Sequence, residues 1–337
     1  MCSAANIPGR CGAFPATRCI SPFGRSGLPC RNAADSLAPV LIGIVVMDRE
    51  AFLPTDPDRD TPHLIEELRA RGHESEALPW RGSSDLERFD ALVLRSPWDY
   101  MDHLAEFEAW LAAAESATRV FNAPELVRWN LDKAYLAHLE AAGVAVVPTR
   151  YVTTLPQVEA AIASFAGSGS RVVLKPSISA GSHDTGLFRG DDRAALALAS
   201  RVVERGATLM VQPEIPELSA GAEKALYLVD GVFTHAIAKG ALLAEGGALI
   251  GGVYQENPQL VEASEAELAF ARQVMDAVAE VTGLGLPLYA RIDTVSTDQG
   301  ILLLEAELFE PSFWLEMVPH ATQALAQAVI ARVGKDS

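Results

Sequence analysis

The sequence predicts a doubly wound parallel α/β sheet first, then a strand-rich remainder of α+β character with helices between its strands. Three observations carry this. LIGIVVM (41–47) is a continuous apolar run, as a strand buried on both faces of a parallel sheet requires. A punctuated helix and a second apolar strand, RFDALVLRS (88–96), follow in strand–helix–strand order. The remainder is rich in short strands, with glycine-rich stretches between them.

Bulk composition narrows the function classes. The chain has 337 residues, 49% of them hydrophobic, and a net charge of −17, enough for two domains with real cores or three small ones. No apolar run approaches a membrane span. The acidic balance excludes a nucleic-acid partner, whose phosphates need basic surface, but leaves room for a nucleotide, which needs only a few local cations. All four cysteines (Cys2, Cys11, Cys19, Cys30) lie in the first thirty residues without a CxxC pair, and no histidine cluster matches them. Residues 1–39 are rich in Pro, Gly, Ser and Arg and carry +3, leaving −20 on the rest. That segment has no long apolar stretch of a secretory signal and reads as a disordered extension, with the first strand starting at Val40 or Leu41. The cysteine-free remainder is compatible with a reducing cytoplasm, the expected location.

The elements follow in order. The first helix has Thr61 as N-cap, Pro62 at its first position, Leu64, Ile65 and Leu68 on one face, and Gly72 past its end. No GxGxxG follows the first strand, so a dinucleotide site there is unsupported. Residues 102–115 form an amphipathic helix with Leu104, Phe107, Leu111 and Ala114 inward. Residues 120–144 read as a short strand, a short helix begun by Pro124, and a second helix capped by Asn130 and closed by Gly143. Strands follow at 172–176, 208–215 and 225–239, the last turning at Asp230-Gly231. Helices lie near 191–205 and 264–282, the second opened by a capping box of Ser264 and Glu267. Two segments, 177–186 and 240–252, are expected to be mobile.

The stretch YARIDTVSTDQGILLLEAELFEPS (289–312) carries the chemistry. With Asp298-Gln299-Gly300 as a three-residue loop, Thr297 pairs with Ile301, Asp293 faces Glu305, and Arg291 faces Glu307 on one side of a hairpin. Ile292, Thr294, Leu302, Leu304, Ala306 and Leu308 then form the core side. Three carboxylates so close repel unless a cation joins them, and Mg²⁺ is a hard cation suited to oxygen ligands. A solvated acidic sheet face is the alternative. Lys133 falls in the first turn of its helix, where a surface lysine is the plain reading. Lys175 closes an apolar strand before a Gly/Ser loop whose N–H groups could cradle phosphate, or which is simply a polar connection. Lys239 enters the second glycine-rich segment in the same way. Arg95, Ser96 and Trp98 end a strand at the usual ligand crevice of an open sheet, or form a loop with an aromatic anchor.

The order NLDK (130–133), VVLKP (172–176), SAGSHDT (179–185), LMVQPEI (209–215), VDGVFTHAIAK (229–239) and RID…LLEAELFEPS (291–312) resembles the ATP-grasp ligases, over roughly residues 40–334. The resemblance implies a fold of three parts: an N-terminal domain at 40–122, a small ATP-grasp subdomain at 123–216 and a large one at 217–337, the last two gripping the nucleotide. It implies Lys133 and Lys175 at the phosphates and the loop with Ser179, Gly181 and Ser182 closing over them. The backbone of Gln212 to Ile215 would meet adenine, with Glu214 or Ile215 donating because Pro213 lacks an N–H. Glu217 would meet the ribose. Asp293, Glu305 and Glu307 would hold one or two Mg²⁺ ions, with Mn²⁺ as a substitute. Arg291 would steady the transferred phosphate, and Lys239 would face phosphate or substrate. Relatives often carry Asn at the position of Glu307.

By this resemblance a carboxylate attacks the γ-phosphate of ATP, and an amine then displaces phosphate to leave an amide. A lid over 240–252 would keep water from the acyl phosphate. LRSPWDY (94–100) and FNAPELVRWNLDK resemble a branch of small bacterial enzymes of amino-acid and natural-product ligation, including the cyclo-ligase that closes O-ureidoserine to cycloserine. The expected partner is a small amino-acid-like molecule, touched by Arg95, Ser96 and Ser312. No nucleic acid or membrane is expected, and a homo-oligomer is left open. A non-catalytic ATP-binding regulator and a small-molecule kinase remain alternatives on the same fold.

Overall fold

The computed structural model describes residues 38–52, 57–165, 171–179, 181–241, 243–249 and 257–334. The expected disordered extension, residues 1–39, lies outside the described residues except for Ala38 and Pro39.

The first sheet is fully parallel. Strands β1 (Leu41–Val46), β2 (Glu74–Pro79), β3 (Ala91–Ser96) and β4 (Arg119–Phe121) lie in the order β2-β1-β3-β4. Alternate side chains of β1 and β3 serve opposite faces. Ile42, Ile44, Ala91 and Val93 pack with Leu64 and Leu68 of helix α1 (Asp60–Ala70). Val45, Leu92 and Leu94 pack with Phe107, Trp110 and Leu111 of α2 (Leu104–Ala117). Both faces are therefore covered, as the apolar runs require. Thr61 is not the cap of α1. Asp58 accepts the N–H groups of Asp60 and Thr61 at 3.0 Å, and the helix begins at Asp60.

Helices α3 (Pro124–Leu131) and α4 (Tyr135–Ala141) lead to the second sheet. Asn130 lies inside α3 and caps nothing; the N–H of Ala134 is taken by Asp132 Oδ1 at 2.9 Å instead. Lys133 sits in the turn between the helices and is buried, so it is not a surface lysine. Strands β5 (Arg150–Val152), β6 (Arg171–Pro176), β7 (Gly186–Arg189) and β8 (Leu209–Pro213) form an antiparallel sheet in the order β5-β8-β6-β7. Helices α5 (Leu155–Phe165) and α6 (Arg193–Glu204) cover one face through Val158, Ile162, Leu198 and Val202.

After the single turn α7 (Pro216–Ser219), strands β9 (Glu223–Val229) and β10 (Val232–Lys239) pair across Asp230 and Gly231, both at positive φ (49° and 74°). A two-residue pair, β11 (Leu243–Ala244) with β12 (Ala248–Leu249), and the short β13 (Gln259–Val261) follow. Helix α8 (Glu265–Thr282) carries the predicted capping box and ends at Gly283 in the left-handed region. Strands β14 (Tyr289–Thr297) and β15 (Gly300–Glu307) complete a sheet ordered β13-β10-β9-β14-β15, and α9 (Pro319–Gly334) closes the described chain.

One face of this five-stranded sheet packs on α8. The other sends Ala225, Tyr227, Ile237 and Tyr289 into the same core as β1, α1 and α9. Residues from both ends of the sequence thus share one core. His235 is buried there, stacked on Tyr227 with ring centroids 4.2 Å apart, and its Nε2–H donates to the Phe313 carbonyl at 2.9 Å. Burial is the main cause that lowers its pKa to about 4. The unfolded chain takes up this proton near pH 6.5, so the stability owed to neutral His235 is complete above pH 6.5 and is lost as pH falls toward 4. A loss of about 3 kcal/mol across that window is expected. Denaturant titrations of the protein and of His235→Phe between pH 4 and 7 check it: the variant should lose the acid-side slope.

The hairpin register differs from expectation at its tip. Thr297 pairs with Gly300, Ser296 with Ile301 and Thr294 with Leu303; a bulge follows, after which Asp293 faces Glu305 and Arg291 faces Glu307. The loop is thus two residues long, and Leu304 is the extra residue. Leu303, not Leu304, is in the core, and Leu304 joins Glu305 on the other face.

Candidate active site

β15 is the edge strand of its sheet, and its outer backbone groups need partners. Asn130 supplies two, donating to Ala306 O at 2.8 Å and accepting from Leu308 N at 3.0 Å. The Tyr135 hydroxyl accepts from Ala306 N at 2.7 Å and lies 3.0 Å from Ala306 O. Side chains of α3 and α4 thereby fix the residues flanking Glu305 and Glu307.

Those two acids open onto a cavity of about 520 Å³. Its floor is the polar face of β14 and β15, with Arg291, Asp293, Glu305 and Glu307. Lys133, Lys175 and Lys239 surround the floor, and Ser179, Gly181 and Ser182 line a wall. Gln212, Glu214 and Ile215 lie along β8 and its exit, and Ser312 lies beyond β15.

The charges interlock. Arg291 Nε and Nη2 donate to the two oxygens of Asp293, each at 2.8 Å, and Nη2 also bonds Glu307. Lys239 Nζ lies 3.1 Å from Asp293 and 3.3 Å from Glu223. Lys133 Nζ lies 3.1 Å from Glu305 and donates to Ser179 O at 2.5 Å. Burial works against the charge of Lys133, yet Glu305 and its neighbours hold it above the usual lysine range. Burial also opposes ionisation of Asp293, but Arg291 and Lys239 keep its pKa low. The Lys175 ammonium has no hydrogen bond or ion pair among the described residues; burial, aided by Lys133, lowers its pKa against the pull of Glu305.

The three carboxylates are turned onto cations rather than onto one another, and no group of three His, Cys, Asp or Glu among the described residues is gathered as a metal centre. Their chemistry still fits a hard divalent cation. Burial, with Glu305 and Asp293 nearby, pushes Glu307 up to about 8 despite Arg291, as buried and crowded carboxylates are.

Three expectations need correction. Arg95 and Ser96 do not line the cavity. Arg95 is 0% exposed and bonds Asp60 at 2.8 Å and Pro311 O at 2.7 Å, while Ser96 Oγ donates to Asp58 at 2.5 Å. Asp60 in turn accepts the N–H groups of Phe313 at 2.5 Å and Leu315 at 2.7 Å. The pair thus ties the first sheet to the segment after β15. Glu217 does not line the cavity, whereas Leu218, Ser219 and Glu223 do. The Glu214 N–H is given to Arg171 O at 3.0 Å, so of the two expected hinge donors it is already taken. Four lining acids went unmarked, Asp99, Asp102, Glu223 and Glu310; the partner of Glu310, Tyr100, lies 210 residues away in sequence.

Known proteins are similar to this chain in sequence and fold. The sequence pattern of the N-terminal domain of D-cycloserine synthetase DcsG matches residues 42–122. The cycloserine biosynthesis protein DcsG of Streptomyces lavendulae is 34% identical over 300 residues, spanning 87% of this chain and 99% of that protein. The crystal structure of D-cycloserine synthetase DcsG superposes with a TM-score of 0.79 at 32% identity, covering 87% of this chain and 99% of that one. The ATP-grasp ligase PsnB, solved with Mg, ADP and a variant of its minimal precursor, superposes at 0.57 with 18% identity over 88% and 99%, a likeness of fold.

Proposed function

The chain belongs to the family of D-cycloserine synthetase DcsG, ATP-grasp ligases that form C–N bonds, and from that premise we propose that it is an intramolecular ligase of the cycloserine-forming type, with O-ureidoserine as substrate. The observation that carries this is the meeting of Lys133, Lys175, Lys239 and Arg291 with Asp293, Glu305 and Glu307 on one cavity. Four cations beside three acids suit a polyphosphate and a carboxylate brought together.

The substrate carboxylate oxygen attacks the γ-phosphorus of ATP; the bond to the β-phosphate oxygen breaks and ADP leaves. A nitrogen of the same molecule attacks the acyl carbon, loses its proton, and expels phosphate. In O-ureidoserine that nitrogen also bears a carbamoyl group, and its hydrolysis to carbamic acid completes the atom balance to cycloserine. Lys133 and Lys175 bind the phosphates, and Arg291 faces the acyl phosphate. The Ile215 N–H meets the adenine edge, Gln212 lines the same wall, and Glu223 replaces Glu217 as the ribose candidate. Asp293, Glu305 and Glu307 would hold Mg²⁺, which when bound neutralises and orients phosphate oxygens. Whether one or two ions bind, and whether Mn²⁺ serves, belongs to the same proposal. The need for ATP supports a cytoplasmic location, and no helix among the described residues is long and apolar enough to cross a membrane.

The test is the full chain with ATP, Mg²⁺ and either enantiomer of O-ureidoserine, beside a pool of amino acids. Phosphate release matched by a cyclic product is expected. ADP with a phosphorylated product, and neither free phosphate nor a new C–N bond, would make it a kinase, and a product joining two molecules would make it an intermolecular ligase.

A further inference from the structure

We propose that Glu310 receives the substrate's α-ammonium group, so that the enzyme demands a free α-amine; this rests on the ligase reading above. Glu310 is 8% exposed and lines the cavity. Its Oε1 accepts the Tyr100 hydroxyl at 2.8 Å, while Oε2 is shut off from solvent without a hydrogen-bond partner among the described residues. A buried carboxylate oxygen with nothing to accept from is costly, and a ligand N–H removes that cost.

The carboxyl is held, not loose. Trp98 Nε1 donates to Glu310 O at 2.9 Å, and Arg95 to Pro311 O at 2.7 Å. This end of the cavity is walled by residues that follow β1 and β3. Its other lining charges are Asp99, which accepts from Trp80 Nε1 at 2.6 Å, and Asp102. The nearest cations, Lys133 and Arg291, belong to the phosphate floor, and both draw on Glu310. An acidic, aromatic end suits an ammonium and repels a second carboxylate, so it also orients the substrate with its own carboxylate toward Arg291. Burial lifts Glu310 to about 7 against Tyr100 and Lys133, and a bound cation would draw it back down.

Every amino acid that supports phosphate release is assayed beside its Nα-acetyl derivative, with wild type and Glu310→Gln. Wild type should prefer the free amine by roughly 10–100-fold in kcat/KM, the range of a hydrogen bond to a charged group. Glu310→Gln keeps the shape and an acceptor for Tyr100 but loses the charge. Its KM for the amino acid should rise by a similar factor, with kcat and the KM for ATP within about threefold, and its preference for the free amine should vanish. An unchanged ATP KM also certifies the fold. Tyr100→Phe, which leaves the charge in place, should retain the preference. Full discrimination by Glu310→Gln overturns this proposal while leaving the ligase reading intact. Turnover only of substrates without an α-amine overturns it as well. Turnover of some other amino acid but not O-ureidoserine overturns the substrate assignment alone, and the same comparison then decides Glu310.

Discussion

Glu305→Gln is expected to lower phosphate release by roughly 10²–10³-fold, the usual effect of deleting one charge that meets developing charge at a reaction centre. Glu305 has one cationic partner among the described residues, Lys133 at 3.1 Å, and its side chain is 25% exposed. Lys133 keeps the Ser179 carbonyl when the acid is neutralised. The loss to stability should therefore stay near 1 kcal/mol, a Tm shift of about 2–4 °C. Single-turnover phosphate release measured beside thermal unfolding separates the two. Release near the wild-type rate would remove Glu305 from the phosphate floor. Asp293→Asn is the less clean variant. It sits between buried Arg291 and Lys239, so neutralising it leaves two cations side by side and threatens the fold together with the chemistry.

The second large effect lies away from the floor. Asp60→Ala is expected to cost about 3–5 kcal/mol, the range for removing one partner of a buried ion pair, and to lower Tm by roughly 10 °C. One carboxylate accepts from Arg95, Phe313 and Leu315. Without it the guanidinium keeps only the Pro311 carbonyl, because Nε and Nη1 have no hydrogen-bond partner among the described residues. Burial already pushes the Asp60 carboxyl up in pKa against the pull of Arg95, so the pair is held by geometry more than by an easy charge. Scanning calorimetry decides: a Tm within about 2 °C of wild type would show that the segment after β15 is anchored elsewhere.

Legibility in the sequence followed the range of the physics. The parallel sheet could be read because apolar runs in β1 and β3 report burial on both faces, and α8 because its capping box is local. Helix α9 was passed over: its alanines give both faces similar side chains, so its period is faint. Strand β2 hides because ESEALP reads polar with a proline at its end. The alternation of Arg291, Asp293, Glu305 and Glu307 put the acidic floor in view. Arg95 misled for a definite reason. The end of a strand is where ligands collect, and nothing nearby in sequence announces that Asp60 takes the guanidinium. Glu310 was missed for the converse reason, since Tyr100 and the cavity end come from the far side of the chain. Local rules find caps and pleats; which distant polar groups meet is decided only by packing.

The extra residue in β15 has a consequence for how this hairpin can diverge. Pairing from Thr294 to Gly300 follows one frame and pairing at Asp293 and Arg291 another, with Leu304 as the slip between them. Changes in length at the tip can be absorbed beyond that slip, where Ser296 and Thr297 meet Ile301 and Gly300, without rotating either glutamate. The inner end has no such slack, being gripped by Asn130 and Tyr135. Homologous chains should accordingly tolerate insertions near Asp298 and almost none between Glu305 and Leu308.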